Sequence, residues 1–289
     1  MGRENEIKEY LAKIIPLEPL LVTLSNIQSA KYIPVPKYLI RIHNEENDMS
    51  LYQGRTEFRG KTMETPAIKT FFFDKPGSFD FVPGQHIVLK IPDLNEDPKG
   101  NSRIFSITSR PADDFISIST KVSGQNSIFK ERLDSLEPGA EVEVIGPSGN
   151  FTLDKSDSEA VLVCGGIGIT PFISIIRSNY VLEKPRRIVL IHSTTSREET
   201  PFREELDNIV KAGDWLRLQR FHTREASAGT DFISGHINAA ALVESIGNTV
   251  GKQFYISGPP SFVEDLSDML KTALKIDPRY IRTERFYGY

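Results

Sequence analysis

The hydrophobic pattern changes its period once along the chain. From Leu51 to about Phe151 the apolar stretches are short and strand-like: IKTFFF, QHIVLKI, RIFSIT, FISIST and EVEVIG. They are rich in Ile, Val, Phe and Thr and separated by Gly, Pro, Asn and Asp. One helix interrupts them, NSIFKERLDSL, with Asn126 or Ser127 as N-cap and Ile128, Phe129, Leu133 and Leu136 at helical spacing. At least five strands and one helix predict a small antiparallel β-barrel. After Phe151, AVLVC, RIVLIHS, WLRLQRF, FYISG and YIRTERF alternate with helical segments at 171–183, 201–212, 237–246 and 261–275. The first and third of these strands read as continuous apolar runs, the mark of burial on both faces. Strand–helix alternation of this kind predicts a doubly wound parallel sheet. The division is therefore 51–153 for the barrel and 154–289 for the α/β domain, joined near the polar stretch Asp154–Ser158. Residues 1–50 are an N-terminal extension without an assigned role, and a short helix near Ile7–Ile14 is the one element they offer.

A length of 289 residues suits two domains. The net charge is −4 and no Lys/Arg block stands out, so nucleic acid is not the expected partner. Cys164 is the only cysteine, which excludes an intrachain disulfide and any iron–sulfur or zinc centre ligated by several cysteines of this chain. Charges and prolines interrupt the apolar N-terminal stretch, so neither a signal peptide nor a span of about 20 apolar residues is expected. The expectation is a soluble, cytoplasmic protein.

The stretch VLVCGGIGITPF places Gly165, Gly166 and Gly168 directly after a strand, with Thr170 as the expected N-cap and Pro171 as the first helical residue. Such a turn delivers a helix N-terminus, and its glycines let a pyrophosphate approach without a Cβ in the way. A plain strand-to-helix turn would tolerate the same residues at an entropic cost. The second strand of the sheet leads into Thr194, Thr195, Ser196 and Arg197 rather than a carboxylate. Hydroxyls and arginines there suit a 2′-phosphate, so NADP is expected, with NAD as the alternative.

Six motifs occur in register: RIFS (103–106), GQNS (124–127), GPSGNF (146–151), GGIGITP (165–171), SGPP (257–260) and an aromatic C-terminal cluster. On these, roughly residues 51–289 resemble the ferredoxin–NADP reductase superfamily, in which an FAD-binding barrel precedes a nicotinamide-binding sheet. The resemblance implies that Arg103 neutralises the FAD pyrophosphate, with Ile104 and Phe105 beside it. Phe105 would pack on the isoalloxazine, and Ser106 would lie near flavin N5. Alternation puts Arg103 and Phe105 on one strand face, so Ser106 calls for a bend or bulge. Gly124, Gln125, Asn126 and Ser127 would meet the same pyrophosphate, and Gly165, Gly166, Gly168, Ile169, Thr170 and Pro171 the pyridine nucleotide. Thr223 and Arg224 resemble the family's 2′-phosphate site. Ser257, with Gly258 and Pro259, stands where relatives have a cysteine near nicotinamide C4. Glu284 matches a C-terminal acidic residue, and Phe286 or Tyr289 would cover the flavin. Ser106, Ser257 and Glu284 are thus the candidate catalytic residues.

The implied activity is hydride transfer from NAD(P)H to FAD, followed by electron delivery to a separate acceptor, a ferredoxin- or flavodoxin-type carrier. A flavin, quinone or ferric-chelate reductase is the alternative. Phe105 in place of the more usual tyrosine, and Ser257 in place of cysteine, also permit a non-catalytic binding subunit. Arg103, the three turn glycines and Thr223-Arg224 argue against that reading.

Overall fold

A computed structural model describes residues 51–122, 127–226 and 231–287. The N-terminal segment with its expected helix, and Gly124, Gln125, Asn126 and Tyr289, lie outside the described residues.

Six antiparallel strands, β1 (Tyr52–Met63), β2 (Ile68–Asp74), β3 (His86–Lys90), β4 (Ser102–Ser106), β5 (Phe115–Lys121) and β6 (Glu141–Ser148), run in the order β4-β3-β6-β1-β2-β5. A bridge between Ile107 and Ile118 brings the two edges together, so the sheet nearly closes. β1 had no counterpart in the hydrophobic pattern because only Thr56 and Phe58 along it are buried. Its first half pairs with β6 and its second with β2, with the register shifting between Phe58 and Gly60. Gly60 has φ 155°, a conformation that glycine adopts without a Cβ clash. Phe58, Phe71, Phe73, Ile87, Leu89 and Val144 are buried. Helix α1 (Ile128–Asp134) buries Phe129 and Leu133, and Ser127 is its N-cap, its hydroxyl accepting from Lys130 N at 3.4 Å.

The second sheet is parallel, with β7 (Ala160–Gly165), β8 (Ile188–Thr194), β9 (Leu216–His222), β10 (Ile233–Ser234), β11 (Gln253–Gly258) and β12 (Ile281–Arg285) in the order β10-β9-β8-β7-β11-β12. Alternate residues of the central strands feed two cores. Leu162 and Leu190 pack with helices α2 (Thr170–Tyr180) and α3 (Arg203–Ala212). Val163 and Ile191 pack with α4 (Ala239–Ile246) and α5 (Pro260–Thr272). β7, the first strand, is buried throughout as the sequence suggested, but its companion is the second strand, β8, not the third. β9 carries exposed Arg217, because only the two-residue β10 separates it from the sheet edge.

Barrel and sheet form one unit from Tyr52 onward, bolted through α2. Ser174 Oγ donates to Ser109 O at 2.7 Å, and Arg177 Nη1 donates to Thr108 O at 2.7 Å. The same guanidinium holds Glu205 of α3 in a bidentate pair at 2.6 and 2.7 Å. Burial disfavours the Arg177 charge, but Glu205 first, then Glu64 and Asp113, together more than offset it and raise its pKa. Removing one member of a buried ion pair strands the other in a medium that solvates it poorly. Arg177→Met should therefore lower the unfolding free energy by about 3–5 kcal/mol in urea denaturation. Adding Glu205→Gln should recover part of that loss, and strictly additive effects would show that the pair is not coupled.

Candidate functional site

In the parallel sheet the chain moves outward from β7 to β8, β9 and β10, then crosses back to β11 on the other side of β7. The order reverses between β7 and β11, and ligands of open α/β sheets bind outside the strand ends at such a switch point. Here the glycine turn and the Ser257–Pro260 segment meet. A Cβ on Gly168 would lie 2.5 Å from Ser257 O and 2.7 Å from Gly258 Cα, so only glycine allows this approach. A Cβ on Gly165 would press on the Phe262 ring at 3.1 Å. Gly166 differs: its φ is +54°, and a Cβ there would meet nothing within 4 Å. The turn thus packs through two glycines and leaves the third beside open space. Two helix N-termini, of α2 and α5, converge at this point.

The turn is a 3₁₀ segment, Gly166–Ile169, running straight into α2. Pro171 sits in the first turn of that helix, but Thr170 is not the cap the sequence suggested. Its hydroxyl donates backward to Ile167 O at 3.1 Å, because the 3₁₀ turn already supplies the preceding helical residues. His192 lies beneath. Burial pushes its pKa down to about 4, so the ring is neutral, and Nε2–H donates to Gly166 O at 3.0 Å. Cys164 is also buried there, its thiol pKa pushed up by burial.

The three candidate catalytic residues come together through a residue that sequence reasoning missed. Ser257 of β11 lies opposite Glu284 of β12, and Ser106 of β4 lies opposite His86 of β3. His86 Nδ1 then stands 3.9 Å from Glu284 Oε1 across the domain boundary. Burial raises the Glu284 carboxyl to about 7 and lowers His86. Ser257 Oγ and Glu284 Oε2 are buried without a hydrogen-bond partner. Unpaired buried polar atoms are costly, so two of them at the mouth of a nucleotide-type turn fit a polar ligand such as a nicotinamide or flavin ring. The available signal for His86 was its place in GQHIVL, with Gly149 of GPSGNF across from it. A Cβ on Gly149 would lie 2.7 Å from the imidazole.

On the barrel side the β3–β4 pairing is regular, so no bulge redirects Ser106. The irregularity lies instead in β3 opposite β6, between His86 and Val88. Arg103 and Phe105 pair with Leu89 and Ile87 and share their face; Ile104 and Ser106 take the other. Phe105 is buried, its ring 6.1 Å from Phe129, whereas Ile104 is 66% exposed. Arg103 donates to Asp97 Oδ2 at 2.6 Å.

At the far edge, Thr223 N and Arg224 N donate to Thr194 O and Thr195 O at 2.9 Å each, joining the two segments expected at a 2′-phosphate. Glu225 accepts from Arg197 N at 2.8 Å and lies 3.0 Å from His222 Nδ1, while the Arg224 side chain is exposed. The sequence suggested no carboxylate at this edge, yet Glu225 reaches it from the neighbouring strand. Phe286 N donates to Gly258 O at 2.9 Å, which fixes the C-terminal aromatic segment beside Gly258 and Pro259.

Residues 162–268 match the family described as the oxidoreductase NAD-binding domain. The chain is 31% identical over 218 residues to a flavohemoprotein of Burkholderia sp. (strain TH2), covering 73% of this chain and 54% of the relative. It is 27% identical over 213 residues to the ferredoxin reductase component of 3-ketosteroid-9-alpha-monooxygenase of Mycobacterium tuberculosis, covering 73% of this chain and 56% of that protein. The chain thus spans about half the length of the curated relatives it matches. Among solved structures, the FAD/NAD-binding domain of Vibrio cholerae nitric oxide dioxygenase superposes with a TM-score of 0.70 at 22% identity, over 81% of this chain and 99% of that one. A ferredoxin–NADP⁺ reductase from Neisseria gonorrhoeae with bound FAD and NADP gives 0.67 at 22% identity, over 81% and 98%. This two-domain fold, the match over residues 162–268 and these relatives fit the ferredoxin–NADP reductase superfamily.

Proposed function

We propose that the chain is an FAD-containing oxidoreductase that takes hydride from NADPH and passes electrons to a separate carrier protein of the ferredoxin or flavodoxin type. The observation that carries this reading is the meeting of the glycine turn with Ser257 and Gly258, beside Glu284 and His86 at the barrel boundary. Bound FAD would supply the chemistry, accepting electrons as a hydride and releasing them singly. The chain's residues align and protonate. The turn at Gly166 and the α2 N-terminus hold the nucleotide phosphates, and Ser257 Oγ receives the carboxamide. Glu284, protonated on the acid side of neutrality, serves as proton donor, with Ser106 and His86 on the barrel side. The preference for NADPH rests on Thr223 and exposed Arg224, a hydroxyl and a cation suited to a phosphate monoester. A separate carrier is supported by the likeness to a ferredoxin reductase component.

The deciding experiment is an anaerobic visible-spectrum titration of the flavin-loaded protein with NADPH and with NADH. Prompt bleaching is expected, stronger with NADPH, and Arg224→Ala should weaken NADPH by about tenfold while sparing NADH. A bound flavin that neither nucleotide bleaches would overturn the reading. Gly168→Ala forces a Cβ onto the β11 backbone, so kcat/KM for the nucleotide should fall about ten- to a hundredfold with flavin content unchanged. Wild-type kcat should decline as pH rises through about 7, where Glu284 loses its proton. Glu284→Gln should be slower by roughly a hundredfold and lose that limb. An unchanged profile would remove Glu284 from the proton path.

A further inference from the structure

The edge where β8 and β9 end holds a carboxylate at the place the resemblance offers to a phosphate. Glu225 Oε2 accepts from Arg197 N at 2.8 Å and lies 3.0 Å from His222 Nδ1. Its main chain is fixed as well, because Ser234 Oγ of β10 donates to Glu225 O at 2.8 Å. The position of this carboxylate is therefore built into the fold.

His222 beside it is 1% exposed, its ring stacked on Phe232 with centroids 4.2 Å apart. Nε2 lies 3.4 Å from Thr200 Oγ1 on the other side. Held between these neighbours, the ring cannot turn to seek another partner. Nδ1 is close to Glu225, but the approach is poorly aligned, so Nδ1 stays buried without a hydrogen-bond partner. A buried ring nitrogen in that state is costly and marks a place for a further polar atom.

The Arg197 amide and the His222 ring thus face one spot. Thr223 and Arg224 lie between His222 and Glu225 in the chain, so a hydroxyl and an exposed guanidinium border that spot in sequence. The Arg197 guanidinium turns elsewhere, to Asp231 Oδ2 at 3.3 Å. A phosphate monoester carries close to two negative charges near neutral pH and takes such donors readily. Here the chain's own carboxylate already takes them, and its charge repels an incoming dianion. A ribose hydroxyl carries no charge and meets no such opposition.

We infer that Glu225 is a specificity-determining residue that stands in for the 2′-phosphate in the nucleotide-free chain and holds down the preference that Thr223 and Arg224 confer. The inference rests on the pyridine-nucleotide reading above and deepens it. Entry of the phosphate obliges Glu225 to give up Arg197 N and His222. Arg224 attracts the phosphate, Glu225 opposes it, and the balance between them sets how far NADPH is favoured over NADH.

The test is calorimetric binding of 2′-phospho-ADP-ribose and of ADP-ribose, which differ only in the 2′-phosphate, to the full chain. The ratio of kcat/KM for NADPH and NADH on the flavin-loaded protein is the second readout. Glu225→Gln keeps an acceptor for Arg197 N and removes the charge. It should tighten binding of the phosphorylated ligand by about tenfold and move ADP-ribose by less than about twofold, with the NADPH-to-NADH ratio rising in step. Glu244→Gln removes the same charge from the exposed face of α4 and should leave both ligands as in the wild type. Glu225→Gln that leaves the ratio unchanged, or weakens both ligands together, would overturn the inference. So would an equal gain from Glu244→Gln. In each of these cases, selective loss of the phosphorylated ligand in Arg224→Ala would leave the NADPH reading standing. A wild-type chain that binds neither ligand would overturn both.

Discussion

The site depends on one close approach, the packing of the glycine turn against the backbone at the end of β11. Side chains cannot mediate it, because a Cβ at Gly168 would already overlap the Ser257 carbonyl. Backbone touching backbone fixes several things at once. It sets the helix axis of α2 relative to β11 and brings two helix N-termini to one point. It also places Ser257 beside Glu284 through the β11–β12 register. A looser turn would separate the open edge at Gly166 from Ser257 and Glu284.

The second constraint is polar and lies on the opposite end of the same helix. α2 starts at the turn and, within its own length, grips the barrel through Ser174 and Arg177. A displacement of the turn would therefore be felt by Thr108 and Ser109, two residues past the end of β4 that carries Ser106. Phe151, packed on Phe172 and Tyr255, fills the apolar side of the same junction. The barrel wall and the sheet wall are thus parts of one frame, with His86 and Glu284 facing each other across it.

Much of this was legible in the sequence where local pattern and tertiary role coincide. Strands such as AVLVC and FISIST, the glycine turn and the Ser127 cap follow from burial period and turn chemistry, and the structure has them. Legibility failed where the cause is nonlocal. β1 is polar along most of its length because it serves as a corner strand with little of it facing the core. His86 looks like an ordinary strand residue until β12 is folded against it. Thr170 resembles a cap only if the preceding turn is irregular, and it is helical instead. The engagement of Arg103 depends on Asp97, a loop residue with no pattern of its own.

The histidine beneath the glycine turn has a consequence for how acidity acts on the molecule. With a pKa near 4, His192 remains an uncharged donor to Gly166 O throughout the range in which Glu284 changes state. The support of the glycine turn is therefore indifferent to pH near neutrality, while the edge that faces the barrel is not. The fold separates a group that keeps its shape from one that changes charge: His192 stays neutral, and Glu284, a few strands away, responds to pH.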